Sequence, residues 1–137
     1  MTTPLPSLPL VEALLGVVTT AAASRYGVYL AGAPRDTDPP YAVMYPDTGQ
    51  KSAFDRTLTN DGPNELRYQV TSVGAGPEQA AWVADSVALA LLTNVPTVTG
   101  RRVWKTIADG VQPMRRDDES TGLFFVTAQY LTKSDPA

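Results

Sequence analysis

The sequence has neither cysteine nor histidine among its 137 residues. Without cysteine there is no disulfide, no zinc–thiolate site, no iron–sulfur cluster and no thiol nucleophile. Without histidine the commonest general base and the commonest transition-metal ligand are both missing, and a Ser-His-Asp triad cannot be built. The missing cysteines leave the redox compartment open. Basic residues are in short supply: 11 Lys and Arg face 14 Asp and Glu, for a net charge of −3. A sequence-independent DNA binder carries a basic excess, so nucleic-acid readout is disfavoured. A mildly acidic surface does suit the wall of a passage along which DNA slides, because it repels phosphate.

Long apolar runs are also absent. No stretch reaches the roughly 18 residues of a membrane span, and no membrane partner is expected. The opening "MTTPLPSLPLVEALLGVVTTAAAS" resembles a signal peptide only superficially. It has no Lys or Arg before its apolar part, Glu12 interrupts that part, and prolines precede it, so we read an extended lead over 1–8 followed by a helix. The 43% apolar content is that of a globular chain, and the length suits one domain over 1–137.

Leu10, Leu14, Val17, Val18 and Ala21 recur at helical spacing and predict a first helix over 9–24, with Gly27 as its C-terminal cap. Val28–Leu30 reads as a short strand. The prolines and aspartates of 33–40 mark a loop. "YAVMY" (41–45) is a strand with Tyr41, Val43 and Tyr45 on one face. Residues 46–64 form a long polar loop whose sizeable apolar residues are Phe54 and Leu58. "ELRYQVTSV" (65–73) alternates, with Leu66, Tyr68 and Val70 on one side and Glu65, Arg67, Gln69 and Thr71 on the other. "PEQAAWVADSVALALLTN" is the clearest helix, opened by Pro77 and Glu78, with Ala80, Ala84, Val87, Ala88 and Leu91 as its buried stripe. Residues 97–113 are β-like and irregular, 122–132 are a long strand, and 133–137 a polar tail. The expected fold is α+β: two main helices packed on a mostly antiparallel sheet, in the order α-β-β-β-α-β-β. There is no internal repeat.

Three constellations invite chemistry. "SVGAGPEQ" joins a strand to a helix as a phosphate loop does, but it lacks the Lys and the glycine spacing, and Pro77 removes an amide donor; a tight turn is the plainer reading. Trp82 is expected in the core, with an interface anchor as the alternative. Tyr41, Tyr45, Tyr68 and Tyr130 are expected to pack on the sheet with their hydroxyls at its rim. The third constellation, "RRDDE" at Arg115–Glu119, sets two arginines against three acids. On an extended segment Asp117 and Asp118 diverge, so they make a poor acid/base pair. A glycosidase-type pair needs a second carboxylate that nothing marks, and a magnesium site lacks a recognisable ligand spacing. A solvated loop with local ion pairs and a protein–protein contact both remain open.

The ordered series "PPYAVMY", a polar loop, "NELRYQVTSVGAGPEQAAWVADSVALALL" and "QPMRRDDESTGLFFVTAQYLT" resembles the tail terminator (tail completion, or minor tail) proteins of long-tailed phages, in particular those of actinobacterial hosts. The resemblance covers about residues 8–133. It implies a structural virion protein with no enzymatic activity and no cofactor or metal. Its subunits would form a homohexameric ring at the head-proximal end of the tail tube, assembled in the host cytoplasm. The ring would stop tube polymerisation and join the head connector, with the major tail tube protein and the connector proteins as partners. DNA would pass through the ring without sequence-specific binding. Arg115, Arg116, Asp117 and Asp118, with Phe54 and Leu58 of the polar loop, become candidate contacts to the next subunit or to the tube. The alternatives are a head–tail connector or neck protein of similar fold, and a small carboxylate-dependent hydrolase.

Overall fold

The computed structural model describes residues 8–51, 64–117 and 122–136. Two helices cover one side of a seven-stranded sheet. In chain order the elements are α1 (Leu8–Ala22), β1 (Gly27–Leu30), β2 (Tyr41–Lys51), β3 (Asn64–Gly74), α2 (Pro77–Thr93), β4 (Arg101–Val103), β5 (Ile107–Val111), β6 (Arg115–Arg116) and β7 (Phe124–Pro136). The α+β architecture and the element order agree with the sequence reading, with the chain beyond α2 divided into four strands. β1 pairs with β2 in parallel; every other pairing is antiparallel. The strand path is β1-β2-β3-β7, and the far edge of β7 is shared in succession by β6, β5 and β4.

Period-2 alternation divides the long strands into two faces. Leu66, Tyr68, Val70 and Ser72 of β3 lie beside Thr132, Tyr130, Ala128 and Val126 of β7, and all but Val126 are buried beneath the helices. Glu65, Arg67, Gln69 and Thr71 occupy the open face. From α1 come Leu10, Val11, Leu14, Val18 and Ala22, and from α2 come Ala80, Val83, Val87, Ala90 and Leu91. The stripes are rotated from the expected ones: Ala84 and Ala88 give way to Val83 and Ala90, because each helix packs on its neighbour as well as on the sheet.

α2 begins as its sequence dictates. Pro77 sits in the first turn with Glu78 at the positive end of the dipole. Gly74 is indispensable there. A Cβ on it would stand 2.4 Å from the backbone nitrogen of Ala80, so the "SVGAG" glycine serves close strand–helix packing. Gly76 has no side-chain cap; the amide of Ala75 donates instead to Oε1 of Gln79 at 2.8 Å.

Several expectations are corrected. α1 stops at Ala22, where Ala23 (φ 48°) and Ser24 (φ 65°) turn left-handed, so Gly27 opens β1 and caps nothing. The polar loop begins later than 46, because β2 continues to Lys51 against Asn64–Arg67, with an irregularity between Asp47 and Gln50. Those residues have no apolar period, so only the pairing reveals the strand. The expected tail at 133–137 is β7 to Pro136: Lys133 lies opposite Glu65, and Ser134, fully buried, opposite Val103. Tyr68 and Tyr130 lie inside the molecule, not at a rim: they are buried and stacked with ring centroids 5.7 Å apart. Trp82 is 39% exposed and is no core residue. Its ring is near-perpendicular to that of Tyr26, with centroids 5.7 Å apart, and the Arg25 guanidinium lies 5.4 Å from its centre, while α2 turns its narrow alanine- and valine-lined side inward.

Candidate functional site

The charged segment that stands out in the sequence forms one arm of a hairpin. β6 pairs Arg115 with Phe125 and Arg116 with Phe124. Cross-strand partners share a face, so the two arginines point to opposite sides of the sheet. Both are exposed, and Arg116 lies 5.9 Å from the centre of the Phe124 ring. The amide of Asp117 donates to the Leu123 carbonyl at 2.8 Å, and its own carbonyl accepts from Gly122 at 2.7 Å. Gly122 takes a left-handed φ of 67° to close that loop. Asp118, Phe54 and Leu58 lie outside the described residues. Among the described residues no group of three or more acids comes together as a metal site, and no helix is long and apolar enough to cross a membrane.

The hairpin belongs to a larger surface that sequence reasoning did not single out. The segment 101–117 runs along β7 as three short strands and carries five basic residues (Arg101, Arg102, Lys105, Arg115, Arg116) against Asp109 and Asp117. It also exposes large apolar groups: Val111 (70%), Ile107 (54%), Trp104 (49%) and Met114 (37%). All five residues of β5 are exposed, and its outer edge has no strand partner among the described residues. The signal was present as "VWKTIADGV", but with Thr106 buried, Val103 partly so and the rest exposed the segment shows no amphipathic period.

Three devices fasten this segment to the sheet. Arg102 grips Asp135 with two hydrogen bonds of 3.2 Å, which raises the pKa of its guanidinium, and stacks on Trp104 at 5.1 Å. Arg67 bonds Asp109 at 2.8 Å across the open face. Both pairs are exposed and worth little by themselves. The third device is buried. Thr132 Oγ1 lies 2.7 Å from Thr106 Oγ1 and 3.0 Å from the Tyr68 hydroxyl, so β3, β7 and the start of β5 meet in one hydroxyl cluster. Burial pushes the pKa of Tyr68 up, partly offset by its threonine bonds. Burial and then the neighbouring Tyr68 push Tyr130 up to about 12. The half-buried Arg101 guanidinium has its pKa lowered by desolvation.

Two further surfaces are shaped for contact. On the open face Tyr41, Val43, Val73, Leu123 and Phe125 line a shallow depression of about 460 Å³ with Asp117 at its margin. Burial, then Tyr45, then Tyr29 raise the pKa of Tyr41. On the helical side, the outer stripe of α2 presents Glu78, Trp82, Asp85 and Leu89 (67% exposed) at helical spacing. The only charges on α1 and α2 are Glu12, Glu78 and Asp85. With Arg25 lying against Trp82 as the counterweight, the described helical layer is acidic in balance and the strand edge basic.

No protein-family model matches the chain, and no curated protein matches it in sequence. Its fold does match solved structures. A chain from the virion of a native gene transfer agent particle aligns with a TM-score of 0.66 at 17% identity, over 94% of this chain and 99% of that one. The gp17 protein of bacteriophage SPP1 aligns with a TM-score of 0.40 at 14% identity, over 87% and 88% of the two chains. At such identities the first match establishes a shared fold over nearly the whole of both chains.

Proposed function

We propose that the protein is a structural component of a phage-like virion: a ring-forming tail terminator at the head-proximal end of the tail tube. The observation that carries this is the end-to-end fold match to a chain of a gene transfer agent virion, with neither chain leaving a substantial domain unmatched. The surface agrees in kind. Its conspicuous exposed features are apolar and charged contact patches, which suit an assembly part.

In this reading the ring is a homohexamer. One rim meets the tube protein and halts its polymerisation, the other joins the head connector, and DNA passes through the centre without base readout. Subunits in such a ring touch through two different patches. Arg115, Arg116 and Asp117 of the hairpin, with Asp118 next in sequence, belong to a subunit or tube contact, and Phe54 and Leu58 in the segment between β2 and β3 belong to a contact with the tube or a neighbour. Imaging of virions with the chain located in the density tests the assignment. A ring at the junction of tube and neck supports it. The same ring within the neck, away from the tube, makes the protein a connector; no copy in the particle ends the reading.

A further inference from the structure

The ring reading leaves open which surfaces meet, and the charge and apolar pattern supplies a specific pair. We propose that the β4–β5–β6 edge of one subunit receives the outer stripe of α2 from the next copy of the same chain. The inference rests on the ring reading above and adds its interface.

Four features fit. The first is sign. The 101–117 segment has five basic and two acidic residues, with Arg102 matched by Asp135, and stays basic; α1 and α2 carry three acids, and Arg25, which lies against Trp82, offsets one of them and leaves the stripe acidic. Copies of one chain therefore attract edge to helix and repel edge to edge, as a head-to-tail contact requires. The second is apolar content. Trp82 and Leu89 alternate with Glu78 and Asp85 on the helix, and the free edge of β5 exposes Ile107, opposite Leu131, and Val111, opposite Ala128, one toward each face of the sheet. The third is length. Glu78 to Leu89 spans about 16 Å at 1.5 Å per helical residue, and Ile107 to Val111 spans about 13 Å at 3.3 Å per step, so the stripe is long enough to cover β5. The fourth is the edge itself: an exposed strand with apolar residues is an aggregation hazard, and covering it with a helix is one established remedy.

Because the two patches differ, a pair formed this way still offers one free edge and one free helix, so the contact propagates until it closes. The cysteine-free chain makes the test clean. Leu89→Cys and Val111→Cys place single thiols on the two patches, at positions 67% and 70% exposed where folding is not at stake. Under mild oxidation, a mixture of the two single variants should give a cross-linked dimer faster than either alone, and the double variant should give a ladder of oligomers. In parallel, Leu89→Arg and Ile107→Asp should each abolish self-association, while their equimolar mixture forms a one-to-one complex and nothing larger.

Cross-linking of Leu89→Cys to itself, or of Val111→Cys to itself, at the mixed rate would overturn the pairing. So would assembly of both charge-bearing variants like the wild type; rings that still form would leave the ring reading standing with a different interface. Cross-linking of the Val111 thiol to another virion protein in assembled particles would assign the edge to that partner and overturn the proposal. Thiol variants that form no cross-link in any combination, together with a wild-type chain that forms no ring in the particle, would end both.

Discussion

Replacing Thr132 by valine removes the hydroxyl at the centre of the buried cluster and keeps the shape of the side chain. Thr132 is fully buried, and Tyr68 and Thr106 are nearly so. The substitution deletes the 2.7 Å and 3.0 Å bonds and leaves the Tyr68 and Thr106 hydroxyls 3.5 Å apart. At about 1 kcal/mol net per bond, with a penalty for the weakly partnered hydroxyls left behind, the loss is roughly 2–3 kcal/mol. For a domain of this size that lowers Tm by about 8–12 °C. Tyr68→Phe should cost about 1 kcal/mol, because the Thr106–Thr132 bond survives it. The triple variant Tyr68→Phe, Thr106→Val, Thr132→Val leaves no orphaned hydroxyl in the cluster and should be much milder than the sum of its single changes. Urea denaturation of the set measures these values. Hydrogen exchange should also report faster opening of Ile107–Val111 in Thr132→Val, since Thr106 begins that arm. A Thr132→Val cost below about 0.5 kcal/mol, or a triple variant as costly as the sum, would refute the claim that the cluster holds the arm to the sheet.

Other consequences follow from the same geometry. Gly74→Ala drives a methyl group into the backbone at Ala80, and should cost about 3 kcal/mol or prevent folding, read by denaturation or soluble yield. Tyr130 keeps its proton to about pH 12 when folded and loses it near 10 when unfolded, so the unfolded chain binds fewer protons between those values. Stability is full below pH 10 and falls as pH rises toward 12, at up to about 1.4 kcal/mol per pH unit; Tyr130→Phe should flatten that decline in a pH series of melts. Arg116→Glu should leave circular dichroism unchanged, because the side chain is exposed, and weaken assembly in a complementation assay of tail length and infectivity. Normal tails from single and double reversals at Arg115 and Arg116 would return the hairpin to a solvated loop.

Much of this fold is legible in the sequence where one face is buried and the other wet. The alternation of Leu66, Tyr68 and Val70 with Glu65, Arg67 and Gln69 gives β3 with its faces correctly assigned. Pro77, Glu78 and the apolar run behind them give α2. Legibility fails where burial is uniform in either direction. The continuation of β2 through Asp47–Lys51 is polar and is held by its pairing with β3, which no local pattern encodes. The arm 101–117 is mostly solvated, with Thr106 as its buried residue, so its three strands carry no period. Trp82 illustrates a different failure: size argues for the core, but a helix that packs closely on a sheet through alanine and valine has no room for an indole on that side. The charge knot drew attention to Arg115 and Arg116, yet the apolar groups beside it, Trp104, Ile107 and Val111, came into view only once β7 had gathered the three strands along one edge.

The central claim is that this chain is a ring subunit at the head-proximal end of a tail. Its most direct test is cryo-electron microscopy of intact virions at a resolution that traces side chains. The account predicts a single ring of six copies between the last layer of tube protein and the neck, with each subunit's β4–β5–β6 edge against the α2 helix of the next. Density that places the chain elsewhere in the particle, or shows no copy of it, would contradict the account.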